Sequence, residues 1–254
     1  MSDGHQMSHP AILLLHGMFG RADNWQSCAR HLSAHWRVLA PTLPVLDLPH
    51  AETDVHALVR FVEELLDREG IGQVVIGGNS LGGHVALSVA LRNPSRVAGL
   101  VLAGSSGLFE RGFDRSMPRR PDREWIRGKI REVFFEEMHV TEALVSEVHD
   151  TIKDTRKALK MLQLAKSAKR ENLRDILHQV RCPVLLVWGT EDSITPPVIA
   201  HDFKEQIPHA ELHFIRECGH APNIERPEEL NRIVEQFLKK HFGYAYAAAP
   251  SRPR

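Results

Sequence analysis

The sequence predicts an α/β protein built on a mostly parallel central sheet with helices on both faces, and three observations predict it. Short apolar runs alternate with amphipathic segments along most of the chain. The runs are too short for helices and lack alternating polar positions, as strands buried on both faces do. The length of 254 residues suits one such domain, and 43% hydrophobic with 25% charged residues is the balance of a globular protein.

Residues 11–15 (AILLL) read as the first buried strand, ended by His16-Gly17. A helix is expected over 23–34 with Asp23 or Asn24 as its cap, then a strand over 37–40 stopped by Pro41. Within 52–68, Val55, Leu58, Val59, Val62, Leu65 and Leu66 recur at helical spacing. Glu52 and Asp54 suit the positive end of that helix, and Gly70 ends it. A strand over 73–77, a helix over 81–92 halted by Asn93-Pro94 and a strand over 97–103 follow. The alternation resumes with a strand at 183–188, a helix near 196–206, a strand at 211–215 and a helix at 227–240. The last helix opens on Pro227, Glu228 and Glu229 and closes on Lys239, Lys240 and His241, matching the helix dipole at both ends.

Between these halves the pattern changes. Residues 105–178 open with a loop rich in Gly, Pro and Arg and continue as charged amphipathic helices without a strand candidate. The expected organisation is an α/β core from 1–104 plus 179–242, a helical lid at 105–178 and a disordered tail at 243–254. Met117, Trp125, Ile130, Phe134, Phe135, Met138, Met161, Leu162 and Leu164 are expected to form mostly lid core. Arg119, Arg120, Arg123, Arg127, Lys129 and Arg131 read as a solvated lid surface, or as groups that could recognise a substrate carboxylate.

The formal net charge is zero, which argues against a nucleic-acid partner. The N-terminus has no cationic stretch followed by an apolar run, so no secretory signal is expected. No apolar run reaches the roughly 18 residues that mark a membrane span. Cys28, Cys182 and Cys218 are few, odd in number and without CxxC spacing, which suits reduced thiols and a cytoplasmic protein. A contact between Cys182 and Cys218 across neighbouring strands is conceivable. Neither HExxH nor a Cys/His cluster occurs, and His209 and His213 straddle a strand start, so no metal is expected. The phosphate-cradling glycine motifs are absent too, so no cofactor is expected.

The chemistry centres on Gly78-Asn79-Ser80-Leu81-Gly82, a G-x-S-x-G segment between a strand and a helix. A serine there stands on a sharp turn clear of the sheet, and flanking glycines avoid collision with neighbouring backbone. A serine hydroxyl needs a base to take its proton. In the order Ser, acid, His, the partners are Asp192, just past the strand at 183–188, and His220, just past the strand at 211–215. Both lie where a parallel sheet presents its C-terminal edge, the usual ligand side. Glu191 is a rival acid, and His220 is one of 16 histidines, so order and placement carry the assignment. The loop His16-Gly17-Met18-Phe19-Gly20 follows the first strand; backbone N–H groups of Met18 and Leu81 are the candidate oxyanion donors, and Phe19 a simple hydrophobic gate. His84, one turn after Ser80, could reach substrate but reads better as a packing or solvent-facing residue.

The segments LLLHGMFG, GGNSLGGHVAL, VWGTEDSITPP and ECGHAPNIERPEE resemble the α/β-hydrolase superfamily from about residue 11 to 241. The resemblance implies the α/β-hydrolase fold with a lid between the strands at 97–103 and 183–188. The GNSLGG elbow looks like that of the meta-cleavage-product hydrolases, which cleave carbon–carbon bonds in ring-opened aromatic diketo acids. The HGMFG loop looks more like that of small carboxylesterases, and the SGPG-type loop of the carbon–carbon hydrolases is absent. Ten residues precede the first strand, which implies a missing or shortened N-terminal hairpin, and Val45-Leu46-Asp47-Leu48-Pro49 replaces the common DxxGxGxS loop. Ser80 excludes the Asp-nucleophile enzymes of this fold. The expected activity is hydrolysis of a small-molecule ester or related acyl substrate. The alternatives are carbon–carbon hydrolysis, favoured by lid arginines at a substrate carboxylate, and a non-catalytic ligand-binding protein, against which the complete Ser80, Asp192, His220 set argues.

Overall fold

The computed structural model of the protein describes residues 10–109, 118 and 121–244. Met117, Arg119 and Arg120, expected in the lid, and the tail from 245 lie outside them. Six strands form one sheet, in the order β2 (Val38–Leu39), β1 (Ala11–Leu15), β3 (Val74–Asn79), β4 (Val97–Ala103), β5 (Val184–Gly189) and β6 (Glu211–Ile215). All neighbouring pairs are parallel. The apolar strands split their side chains by the period of two. Ala11, Leu13 and Leu15 of β1 join one core cluster, while Ile12 and Leu14 join the other. In β5 the same division sends Val184, Leu186 and Trp188 one way and Leu185 and Val187 the other.

Helices cover both faces. On the first lie α2 (Val55–Arg68), α3 (Leu81–Arg92) and α7 (Pro197–Gln206), contributing Leu58, Val62, Val85, Val89 and Phe203. On the second, α1 (Gln26–Leu32) packs beside α9 (Pro227–Phe242), with Cys28, Leu32, Val234 and Phe237 inward. Asp54 caps α2 by accepting the Ala57 N–H at 2.7 Å, whereas Glu52 sits in a separate 3-10 turn, His50–Glu52.

The helix expected over 23–34 is a 3-10 turn, Ala22–Trp25, followed by the shorter α1. Neither Asp23 nor Asn24 is its cap. The Asn24 side chain instead accepts the Arg21 N–H at 2.7 Å from inside the turn, and the tighter turn lets Trp25 donate from Nε1 to Leu15 O at 2.9 Å in the core. The three thiols are free. Cys182 precedes β5 and Cys218 follows β6, so in a parallel pair they sit at opposite sheet edges and the conceivable contact is not made. Tyr244, expected in the tail, packs its ring 4.3 Å from that of His35 and donates to Glu235 at 3.2 Å.

Between β4 and β5 run α4 (Arg123–Arg131), α5 (Glu142–Lys153) and α6 (Thr155–Arg170). Asp122, Thr141 and Asp154 cap them in turn. Helices α4 and α5 share a small core of Ile126, Ile130, Val145 and Val148. Met161, Leu164 and Ala168 of α6 belong instead to the main core, and Phe135 and Met138 are exposed, so Met161, Leu164, Phe135 and Met138, expected as lid core, lie outside the core of α4 and α5. Among the described residues no helix is long and apolar enough to cross a membrane.

At the end of β5, buried Trp188 donates from Nε1 to Thr195 O at 2.8 Å and so fixes the loop that follows. Trp188→Phe keeps an aromatic ring, though a smaller one, and orphans that carbonyl. It is expected to lower unfolding free energy by about 1–3 kcal/mol in urea denaturation, with an unchanged denaturant slope.

Candidate active site

Ser80 stands alone between β3, which ends at Asn79, and α3, which begins at Leu81. Its backbone has φ 54° and ψ −119°, and among the described residues only Glu217 is another non-glycine with positive φ. Four hydrogen bonds hold this turn. The Ser80 N–H donates to Ala103 O at 3.1 Å, and Ser80 O accepts from Gly83, His84 and Ser106 N–H at 2.9, 3.2 and 3.1 Å. A side chain at Gly78 would overlap the Gly82–Gly83 backbone, and one at Gly82 would overlap the end of β1. The glycines therefore let the helix descend onto the sheet and leave the serine at the turn.

Asp192 follows β5 and His220 follows β6; both are buried. His220 Nδ1 lies 2.9 Å from Asp192 Oδ2. The carboxylate is saturated on its other sides: Oδ1 accepts the Ile194 and Thr195 N–H groups at 2.9 Å each, and Oδ2 accepts the Thr195 hydroxyl at 2.9 Å. With Nδ1–H donated to the carboxylate, Nε2 keeps its lone pair and faces away from Asp192. The rival Glu191 is engaged elsewhere, accepting Thr190 Oγ1 at 2.5 Å and the Cys218 N–H at 3.0 Å. Gly104, with φ +51°, passes so close that a Cβ there would lie 3.1 Å from both Asp192 Oδ2 and His220 Nδ1.

The Ser80 hydroxyl and the His220 ring are not hydrogen-bonded to each other; Asn79 joins their loops. Its Nδ2 donates to Ala103 O and to His220 O, both at 2.9 Å. On the far side, a Cβ at Gly17 would lie 3.3 Å from Ser80 Cβ, which brings the Gly17-Met18 loop against the elbow. Leu81 is the first residue of α3, so its N–H has no acceptor within the helix. Buried His16 pins the Met18 loop. Its Nδ1 lies 2.7 Å from Gly17 O and its Nε2 accepts the Leu43 N–H at 2.8 Å, a pattern that requires the neutral ring. Burial likewise lowers its pKa, against the bond to Gly17.

His84 is fully buried, where burial pushes its pKa down to about 4, and it packs against the Gly107 loop instead of facing solvent. Among the described residues no group of three His, Cys, Asp or Glu side chains could hold a metal ion. Burial pushes Cys28 up to about 12 and Cys182 up to about 11, so these thiols are not nucleophiles at neutral pH. A cavity of about 280 Å³ opens beside exposed Phe19, between Phe134, Leu144 and Ile224. Arg21 on its wall pairs with Asp23 and Glu147 at 3.6 and 3.7 Å.

The sequence reading missed Asn79, Thr195 and Glu225, whose side chains bond backbone far along the chain. The only available signal was adjacency: each lies within five residues of a motif residue.

An alpha/beta hydrolase family model matches residues 12–233. A dihydrolipoyllysine-residue acetyltransferase component of an acetoin cleaving system from Pseudomonas putida is 32% identical over 91% of this chain, which spans 64% of that relative's length. A 2-hydroxy-6-oxononadienedioate/2-hydroxy-6-oxononatrienedioate hydrolase from Burkholderia vietnamiensis (strain G4 / LMG 22486) is 27% identical, covering 91% of this chain and 87% of the relative. The crystal structure of an alpha/beta hydrolase enzyme from the metagenome of lagoon sediments at Mar Chica, Morocco, superposes with a TM-score of 0.75 at 33% identity, covering 91% of each chain. These matches run across the sheet and its helices, and the chain belongs to the alpha/beta hydrolase family.

Proposed function

We propose that the protein is a carboxylic ester hydrolase that works through an acyl-enzyme on Ser80. The observation that carries the reading is the buried His220–Asp192 pair, 2.9 Å apart, at the same sheet edge as the strained Ser80 turn. Ser80 Oγ attacks the ester carbonyl carbon while His220 Nε2 takes its proton. Such serine–imidazole contacts tighten when substrate is in place. The carbonyl oxygen becomes an oxyanion held by the Met18 and Leu81 N–H groups. Imidazolium then gives its proton to the departing alkoxide, leaving the acyl group on Ser80. Water, deprotonated by His220, attacks the acyl carbon, and the acid leaves as Ser80 regains its proton. Asp192 stays ionised and stabilises the imidazolium. No step calls for a cofactor. Residues 105–178 are read as the lid of this site, supported by the bonds from His220 N–H to Val133 O at 2.8 Å and from Ser193 Oγ to Glu132 O at 2.7 Å.

A second reading keeps these residues and changes the bond. The named activity of relatives such as the Burkholderia vietnamiensis enzyme favours hydrolysis of a 2-hydroxy-6-oxo dienedioic acid, here read as carbon–carbon cleavage. A doubly charged acid would need free cations nearby. Arg123 and Arg127 both pair with Glu142, Arg131 pairs with Glu137 at 2.7 Å and Lys129 with Glu132 at 2.7 Å. That pairing supports the ester reading.

Hydrolysis of p-nitrophenyl esters is the direct test. Wild type is expected to turn over, and Ser80→Ala to lose on the order of 10⁶ in kcat, as a protease serine does. Activity that survives the substitution refutes Ser80 as nucleophile. Silence of a folded wild type on esters, with turnover of a ring-opened dienoate, transfers the conclusion to the second reading. Asp192→Asn is expected to lower kcat about 10⁴-fold with KM little changed, by releasing the imidazole tautomer; an equal rate would remove Asp192 from the mechanism.

A further inference from the structure

Glu225 ends the short helix α8 (Pro222–Glu225) and is buried, with 5% of its surface exposed. Its Oε2 accepts the Phe135 N–H at 2.6 Å and the Glu136 N–H at 3.3 Å. Its Oε1 accepts the Gly219 N–H at 2.8 Å. Gly219 immediately precedes His220, whose own N–H donates to Val133 O at 2.8 Å. Two consecutive residues of the base loop are thus fastened to the stretch between α4 and α5, one directly and one through a carboxylate. A Cβ on Gly219 would lie 2.9 Å from Phe135 N and 3.0 Å from Glu225 Oε1, so nothing but glycine fits between them.

We propose that Glu225 is a positioning residue of this active site: its carboxylate clips Val133–Glu136 to the loop carrying His220, so that the base and the helical segment are placed together. The inference rests on the reading of Ser80, His220 and Asp192 given above. The donor count explains the residue type. Three N–H groups converge on the side chain, and only a carboxylate meets them with acceptors alone. An amide of the same shape would turn an N–H toward a backbone N–H. Burial raises the Glu225 pKa above the usual carboxylate range; the three N–H bonds and the nearby His139 act in the opposite direction. Arg226 is taken by Glu136 at 2.8 Å, a pair that fastens the same stretch from the outside.

Glu225→Gln tests the clip through ester hydrolysis, thermal unfolding and the far-downfield proton resonance of the His220 Nδ1–H bonded to Asp192. The expected result is a folded variant whose kcat falls roughly 10- to 100-fold, most of the loss lying in kcat and not in KM, with the resonance displaced or broadened. If the amide variant does not fold, Glu225→Asp keeps the charge and shortens the reach by one methylene, and the same readouts apply. A folded variant with the wild-type resonance overturns the proposal whatever its rate, and so does one whose only change is a lower unfolding temperature. Ser80→Ala on the same ester separates this outcome from the reading beneath it. If Ser80→Ala stays active the acyl-enzyme reading fails, while the resonance still reports whether Glu225 places His220.

Discussion

The backbone of Ser80 is the constraint around which the site is arranged. An L-residue held at φ 54° costs of order 1–3 kcal/mol and persists only where its surroundings leave no alternative. Here the surroundings are specific. Ala103 O takes the Ser80 N–H, and three N–H groups converge on Ser80 O. Relaxing the turn would break this set and push the first turn of α3 off β1, because Gly82 is packed against the Leu15 carbonyl. The strain is therefore shared with the sheet. The same β4 end that accepts the Ser80 N–H also accepts Asn79 Nδ2, which reaches on to His220 O. One strand terminus ties the elbow to the base loop.

Two buried carboxylates follow the same physical rule with different results. An ionised carboxylate away from water is tolerable only when donors replace its hydration. Asp192 receives two backbone N–H groups, a threonine hydroxyl and the His220 ring. Glu225 receives three backbone N–H groups and, at 4.0 Å, the weak Cys218 thiol. The difference lies in what the last donor can do. Imidazole can carry a positive charge that the carboxylate then stabilises, whereas an amide N–H can only be held in place. The first arrangement suits an imidazole that takes up charge beside a fixed carboxylate, and the second suits a fastening.

What the sequence made legible follows from how local each signal is. The strand Ala11–Leu15 and the inward face of α2 were readable because burial on two faces, or on one helical stripe, leaves its period in neighbouring residues. The elbow was readable because Gly78 and Gly82 are required by contacts within a few residues of Ser80. The start of α1 was not. Trp25 ends a 3-10 turn and donates inward to Leu15 O, a long-range contact that propensity does not register. Exposed Phe135 and Met138 look like lid core by type, but neither is buried, and the Phe135 backbone is held by Glu225. Asn79 and His220 lie 141 residues apart, and nothing local in either marks the bond between them.

The ester and carbon–carbon readings proposed above share Ser80 and His220 and differ in the charge their substrates carry. A substrate with two carboxylates needs cations whose field is not already spent. Each cation of α4 already has an acidic neighbour, and Glu142 alone takes two arginines. These pairs are mostly exposed, so each contributes little to stability, about 1 kcal/mol or less. Their effect on recognition is larger, because a paired guanidinium must surrender its partner before it can take a substrate carboxylate. Arg21 beside the Phe19 cavity is compensated in the same way by Asp23 and Glu147. A neutral ester makes no such demand, and this pairing is what supports the ester reading proposed above.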